Sequence, residues 1–290
     1  MSEQVCKADM GGDGAAGVDT YGYPVETTGN AVLDILEHRS STRAFARDDD
    51  GRPVAVTDEQ RAAILHAASR APSAGAMMMY SIVSIREQAT LDRLADLCDH
   101  QPMIAKAPWA LVFVVDYAKW IDLFEHVGCF EPEFVERTGK APRPAPGLGD
   151  FAIAAQDAVI AAQNAVVAAE ALGLGSCYIG DIVENAEEVA GLLDLPPYTM
   201  PLSMLIIGTP RKERPAIAHP VVNLVHEEHY RRAGATTMDA QVAEMDAMFR
   251  PHAREVGERV VDIYTRKHTS PFMAEMSRSM EWWFKNWLGK

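Results

Sequence analysis

Residues 151–172 read FAIAAQDAVIAAQNAVVAAEAL, and this run constrains the fold more than any other part of the chain. Small and aliphatic residues fill it, except where Gln156 and Asp157, Gln163 and Asn164, and Glu170 recur at seven-residue intervals. As a helix, a run of this length spans about 33 Å. Asp150 is placed to cap its start and Gly173 to stop its end. A membrane-spanning helix rarely carries an unpaired carboxylate near its centre, so the run reads as a buried helix of a soluble protein. A charge-poor helix this long needs cover on nearly every side, and its alanines let other backbones come close. Part of that cover is expected from a second subunit, in an intimate dimer.

Three short runs around it read as strands: Ser81–Ile85, Leu111–Asp116 and Leu202–Ile207. The second and third are almost continuously apolar, as strands covered on both faces are. Helical patterns separate them, which predicts a layered α+β or α/β domain. Asn30 can cap a helix over Ala31–His38. Thr57 and Gln60 form a capping box for a helix that ends before Pro72. Asn185 with Glu188 is expected to open a further capped helix. Residues 1–27, rich in Gly and Asp, read as a flexible arm. Residues 238–289 read as helical and end in MEWWFKNWLGK. Its Trp282, Trp283, Phe284 and Trp287 are expected to dock the terminus on the body.

A net charge of −14 argues against nucleic-acid binding, which needs a basic footprint. Met1–Thr20 lacks the apolar run of a secretory signal. Cys6, Cys98, Cys129 and Cys177 are widely spaced and form no CxxC pair, which points to reduced thiols in the cytoplasm. GLGSCYIG lacks the GxGxxG spacing and follows a helix rather than a strand, so it is no dinucleotide fingerprint; it reads as a loop. His226 and His229 sit as HEEH without a third ligand nearby, so no metal site is expected. No GxSxG elbow occurs, and Cys177 lies in an apolar context. The segment EHRSSTRAF sets Arg39 and Arg43 around Ser40, Ser41 and Thr42. Such a group suits a phosphate in an otherwise acidic protein, although basic residues also favour an ordinary helix C-terminus.

Five segments then fall in one order: RSSTRAF, RAPSAGAMMMYSIVSI, IAKAPWALVFVVD, AAEALGLGSCYIGDI and LLDLPPYTMPLSMLIIGTP. In this order and spacing the chain resembles the nitroreductase superfamily of FMN-dependent oxidoreductases over about residues 31–230. The branch it is most similar to is that of NAD(P)H nitroreductases and flavin reductases. The resemblance implies an α+β sandwich with a mostly antiparallel central sheet flanked by helices, in an intertwined homodimer with FMN at the interface. It implies a domain over 28–235, with 236–290 as a helical extension on the body or the partner subunit. It also implies a ping-pong cycle, in which NAD(P)H gives hydride to flavin N5 and a nitroaromatic, quinone or flavin acceptor takes it. No side chain need act as general acid.

By the same resemblance, Arg39, Ser40 and Ser41 match phosphate and ribityl positions, and Arg43 reaches the pyrimidine edge, where reduced flavin is anionic. Pro72, Ser73, Ala74 and Gly75 match the turn lining the ring, with Ala76 and Met78 beside them. Tyr178, Ile179 and Gly180 match the segment whose backbone reaches N5. Many members carry Asn where this chain has Ala76, and Gln-Pro-Trp where it has Met78-Met79-Tyr80. The late basic pair of the family is absent; Arg211, Lys212 or Arg214 stand slightly earlier and are expected to replace it. Trp120, Phe124, Phe130 and Phe134, in the segment 117–150, are candidates to lid a flat substrate or to pack as core. Reductive dehalogenation, and flavin binding without reductase activity, are the alternatives.

Overall fold

The computed structural model describes residues 28–212, 221–248 and 255–290, together with the backbone of 17–18 and 24–25. Most of the expected N-terminal arm, Cys6 and Arg214 therefore lie outside the described residues. In chain order, β1 (Gly17–Val18) pairs antiparallel with β2 (Pro24–Val25), and α1 (Ala31–His38) and α2 (Asp58–Ser69) follow. Next come β3 (Tyr80–Ile85), α3 (Gln88–Leu97), α4 (Pro102–Ala105), β4 (Trp109–Asp116), α5 (Ala118–His126) and α6 (Pro132–Thr138). The long helix α7 (Leu148–Ala171) leads into β5 (Gly175–Ile179), α8 (Ala186–Leu192) and β6 (Thr199–Gly208). Then come α9 (Ala235–Met248), α10 (Glu258–Ile263) and α11 (Pro271–Trp287). The chain forms two compact units, one of residues 1–40 and 214–267, the other of residues 41–213 and 268–290.

The second unit is built on a four-stranded sheet in the order β3-β4-β6-β5, with every neighbouring pair antiparallel. The central strand β4 is buried along almost its whole length, as its apolar run predicts. Because side chains alternate across a strand, β4 feeds two cores. Trp109, Leu111, Phe113 and Val115 pack with α2 and α7, while Ala110, Val112 and Val114 pack with α3, α4 and α8. A register shift in the β4–β6 ladder falls between Phe113 and Val114, opposite Pro201 to Ser203.

Most of the expected capping is observed. Asn30 accepts from the N–H groups of Val32 and Leu33, and Thr57 and Gln60 make a reciprocal box. Gly173 adopts φ +72 just past α7 and stops it. Two expectations need correction. Helix α7 begins at Leu148, one turn earlier, so Asp150 is its third residue rather than its cap. There Asp150 accepts the Gly147 N–H at 2.8 Å and a fork from Arg143 at 2.6 and 2.9 Å. Asn185 precedes α8 but does not cap it, because its backbone is left-handed and its amide donates to the Leu97 carbonyl instead.

The segment GSCYI is also a strand rather than a loop: it is β5, paired with β6 from Gly175↔Gly208 to Ile179↔Met204. At the C-terminus, Trp283 and Trp287 are fully buried. Their indoles donate to the carbonyls of Val183 and Gly147 at 2.9 and 3.1 Å, which fastens α11 on the sheet unit.

Candidate functional site

Helix α7 does more than fill the core. Its alanines, from Ala154 to Ala169, face the sheet. Three of the polar residues that interrupt it reach outward to segments far away in sequence. Asp157, only 3% exposed, accepts from the Ser73 hydroxyl at 2.6 Å and the Ala74 N–H at 3.0 Å, with the Met79 N–H at 3.3 Å. Asn164 donates to the Ala67 carbonyl of α2 at 3.1 Å, and Gln163 accepts from the Tyr178 hydroxyl of β5 at 3.3 Å. One helix thus holds the segment 73–79 and the segment 178–180.

The turn at 73–79 has an unusual backbone. Gly75, Ala76 and Met78 all have positive φ, at 58°, 56° and 48°. For a residue with a side chain this region costs of order 1–3 kcal/mol and persists only where the surroundings impose it. Here they do. The Met78 N–H donates to Ser73 Oγ at 2.6 Å, and the Trp120 indole donates to the Met77 carbonyl at 2.9 Å. The three methionines part company as a result. Met79 is buried in the core, Met77 packs against it, and Met78 is 36% exposed beside exposed Ala74, Gly75 and Ala76. Behind the turn, the Lys119 ammonium donates to the Tyr80 carbonyl at 2.5 Å and lies near that ring. Burial pushes its pKa down, against the pull of Asp116 and Asp157.

The basic residues gather at the other end of the sheet. The Thr42 N–H donates to the Ser176 carbonyl of β5 at 2.8 Å, so Ser41–Arg43 runs beside that strand. Phe45 bridges to Pro210, and the Arg211 N–H donates to the Ala44 carbonyl at 3.0 Å. Arg43 and Arg211 therefore lie on adjacent antiparallel segments, both exposed, and neither forms an ion pair among the described residues. The Thr42 hydroxyl is fully buried without a hydrogen-bond partner. In the other unit Ser40 is buried, and Arg39 keeps a buried Nε that likewise lacks a partner. Unsatisfied buried polar atoms are costly and call for an explanation such as an absent ligand.

The lid candidates pack inward. Trp120, Phe124 and Phe130 lie against the α7-side core, with Trp120 and Phe124 rings 5.6 Å apart, and Phe134 carries the Arg137 guanidinium over its face. The His226 ring of the HEEH segment lies tilted against that of Tyr230, with centroids 4.8 Å apart. Among the described residues Cys98, Cys129 and Cys177 form no disulfide, and burial raises the pKa of Cys98 far above its usual value. An open hollow of about 620 Å³ lies between Arg86 and Asp194 and shares no residue with the segments above. Sequence reasoning missed Asp157, Gln163, Asn164 and Lys119 as supports. The first three were signalled only by the seven-residue polar interval within α7, and Lys119 of α5 carried no signal.

Comparison with known proteins adds an independent line. The profile of the Nitroreductase family matches residues 36–209. The chain is 31% identical over 215 residues to an FMN reductase [NAD(P)H] of Bacillus subtilis, covering 73% of this chain and 79% of that one. It is 32% identical over 219 residues to an oxygen-insensitive NADPH nitroreductase of Salmonella typhimurium, covering 73% and 81%. Among solved structures, the NADPH:FMN oxidoreductase from Vibrio harveyi complexed with NAD+ superposes with a TM-score of 0.66 at 25% identity, over 86% of this chain and 97% of that one.

Proposed function

Because the chain belongs to the nitroreductase family, matched over residues 36–209, we propose that it is an FMN-dependent NAD(P)H oxidoreductase acting on nitroaromatic, quinone or flavin acceptors in the cytoplasm. The observation that carries the reading is the orphaned donor set. Among the described residues the buried Thr42 hydroxyl has no hydrogen-bond partner, and Arg43 and Arg211, on neighbouring segments, form no ion pair. FMN brings the acceptors these groups lack, its phosphate for Arg211 and its pyrimidine edge for Arg43. The residues present therefore fit FMN.

In this reading Ser41 and Arg211 hold the anionic end, and Arg43 reaches the pyrimidine edge of the ring. The family resemblance adds Arg39 and Ser40, and also Arg214, which lies outside the described residues. Pro72–Ala76 and Met78 line the ring on one side, and Tyr178–Gly180 approaches it through the backbone. When bound, FMN supplies the hydride chemistry, taking two electrons from NAD(P)H and yielding them to the acceptor in turn. The chain supplies position. Arg43 offers a fixed cation where negative charge develops, and the Tyr178–Gly180 backbone offers donors without any proton-transferring side chain.

A second copy of the chain completes the site in this proposal. Ile153, Val159 and Ile160 are exposed apolar residues of α7, which a homodimer would cover. Titration of apoprotein with FMN, followed by flavin fluorescence, tests the reading. Each charge-assisted bond is worth about 1.5–3 kcal/mol, so Arg39→Ala and Arg43→Ala should each weaken binding by roughly tenfold or more. Unchanged affinity in both variants would place the phosphate elsewhere. Turnover confined to halophenols in a panel with nitroarenes would replace the proposed acceptors by the dehalogenase chemistry.

A further inference from the structure

We infer that Asp157 is the positioning residue of this site: from inside α7 it sets the left-handed shape of the 73–79 turn before any ligand arrives. The inference rests on the flavin reading above and deepens it. Asp157 is buried, and among the described residues each hydrogen-bond partner of its two oxygens belongs to this turn: the Ser73 hydroxyl, the Ala74 N–H and the Met79 N–H. Ser73 passes the restraint on, since its Oγ accepts the Met78 N–H at 2.6 Å. The carboxylate thus grips both ends of a loop whose middle has positive φ at Gly75, Ala76 and Met78.

Such backbone angles do not hold themselves in an exposed segment, and Ala74, Gly75, Ala76 and Met78 are all exposed. An acceptor with two oxygens is needed, because three donors converge on it from different directions. An apolar residue at 157 would suit the surrounding alanines better, so the burial of a carboxyl there is a cost that its bonds to the turn offset. Where many members of the family carry polar side chains, this turn carries Ala76 and Met78. Its contribution to a flavin site therefore lies in its shape, and Asp157 fixes that shape.

The test uses full-length protein and the variants Asp157→Ala and Asp157→Asn. Asparagine keeps an acceptor oxygen for the Ala74 N–H, and its amide can donate to Ser73 Oγ, but that nitrogen cannot accept the Met79 N–H. Backbone amide exchange of the 73–79 peptide in apoprotein is read first. The wild type should protect Ala74, Met78 and Met79, and both variants should exchange faster there while β4 stays unchanged. FMN affinity should then fall by about tenfold or more in Asp157→Ala, the equivalent of one lost bond or more, and by less in Asp157→Asn.

The visible circular dichroism of the bound flavin should also shift, which a merely structural loss of stability would not produce. If Asp157→Ala does not fold, Asp157→Asn decides the matter by the same measurements. Folded variants with wild-type exchange at 73–79 and wild-type FMN affinity would overturn the inference. Failure of the wild type itself to bind FMN would instead overturn the flavin reading.

Discussion

Ser73 donates its hydroxyl hydrogen to Asp157 at 2.6 Å, joining two residues 84 positions apart. One partner belongs to a Pro-Ser-Ala-Gly turn, the other to the long alanine-rich helix. Through this bond the most regular element of the molecule shapes one of its most irregular ones. The same helix reaches Tyr178 through Gln163 and the end of α2 through Asn164, so it serves as the frame on which the proposed flavin walls are mounted.

The methionine triplet should divide sharply on truncation. Met79 is 3% exposed and lies in the core, so Met79→Ala should destabilise by about 2–5 kcal/mol. Met78 is exposed, and Met78→Ala should change stability by no more than about 0.5 kcal/mol while altering KM for a flat acceptor. Urea denaturation and steady-state kinetics of the two variants check this. Equal stability losses would mean that the turn faces the core differently.

Gly208 closes β6 where the chain turns toward Arg211. A Cβ there would lie 2.7 Å from Phe45 Cδ1 and from the Pro108 ring carbons. Gly208→Ala should therefore cost about 1–3 kcal/mol by overpacking. Phe45 lies between Arg43 and the bridge to Pro210, so FMN affinity should fall as well. A urea midpoint and an FMN titration read both effects.

The docking of α11 should depend on acid. The Arg278 guanidinium beside Glu275, helped by the Ser279 hydroxyl and the Asn185 N–H, holds the Glu275 carboxyl at about 2, against an ordinary 4.5. A depressed carboxyl contributes stability that is fully present above its unfolded pKa and lost as pH falls through the folded one. The melting temperature of wild type should exceed that of Glu275→Gln above pH 4.5, and the difference should shrink toward pH 2. Thermal melts at stepped pH, followed by tryptophan fluorescence, measure it. A difference that does not change with pH would remove Glu275 from the docking.

Much of this was legible in the sequence because the signals were local. The continuous apolar runs gave β4 and β6, Thr57 and Gln60 gave the start of α2, and the arginines of EHRSSTRAF mark the segment proposed to meet the flavin. Strand β5 was not legible, since Gly175, Ser176 and Cys177 are small, its length is five residues, and all but Tyr178 are buried, which removes alternation. Asp157, Gln163 and Asn164 could be seen only as interruptions of an apolar helix. Their partners lie between 15 and 97 positions away, and only the fold brings them together. The separate fates of Met77, Met78 and Met79 were hidden for a similar reason: the backbone is left-handed at Gly75, Ala76 and Met78, so no strand alternation runs through the triplet.

The most direct test of the proposed activity is the absorption spectrum of FMN-loaded protein under anaerobic conditions, before and after NADH and NADPH are added in turn. With the proposed activity, the apoprotein takes up FMN and at least one of the two donors bleaches the flavin band. Protein that takes up no FMN, or a bound flavin that stays yellow with both donors, would contradict it.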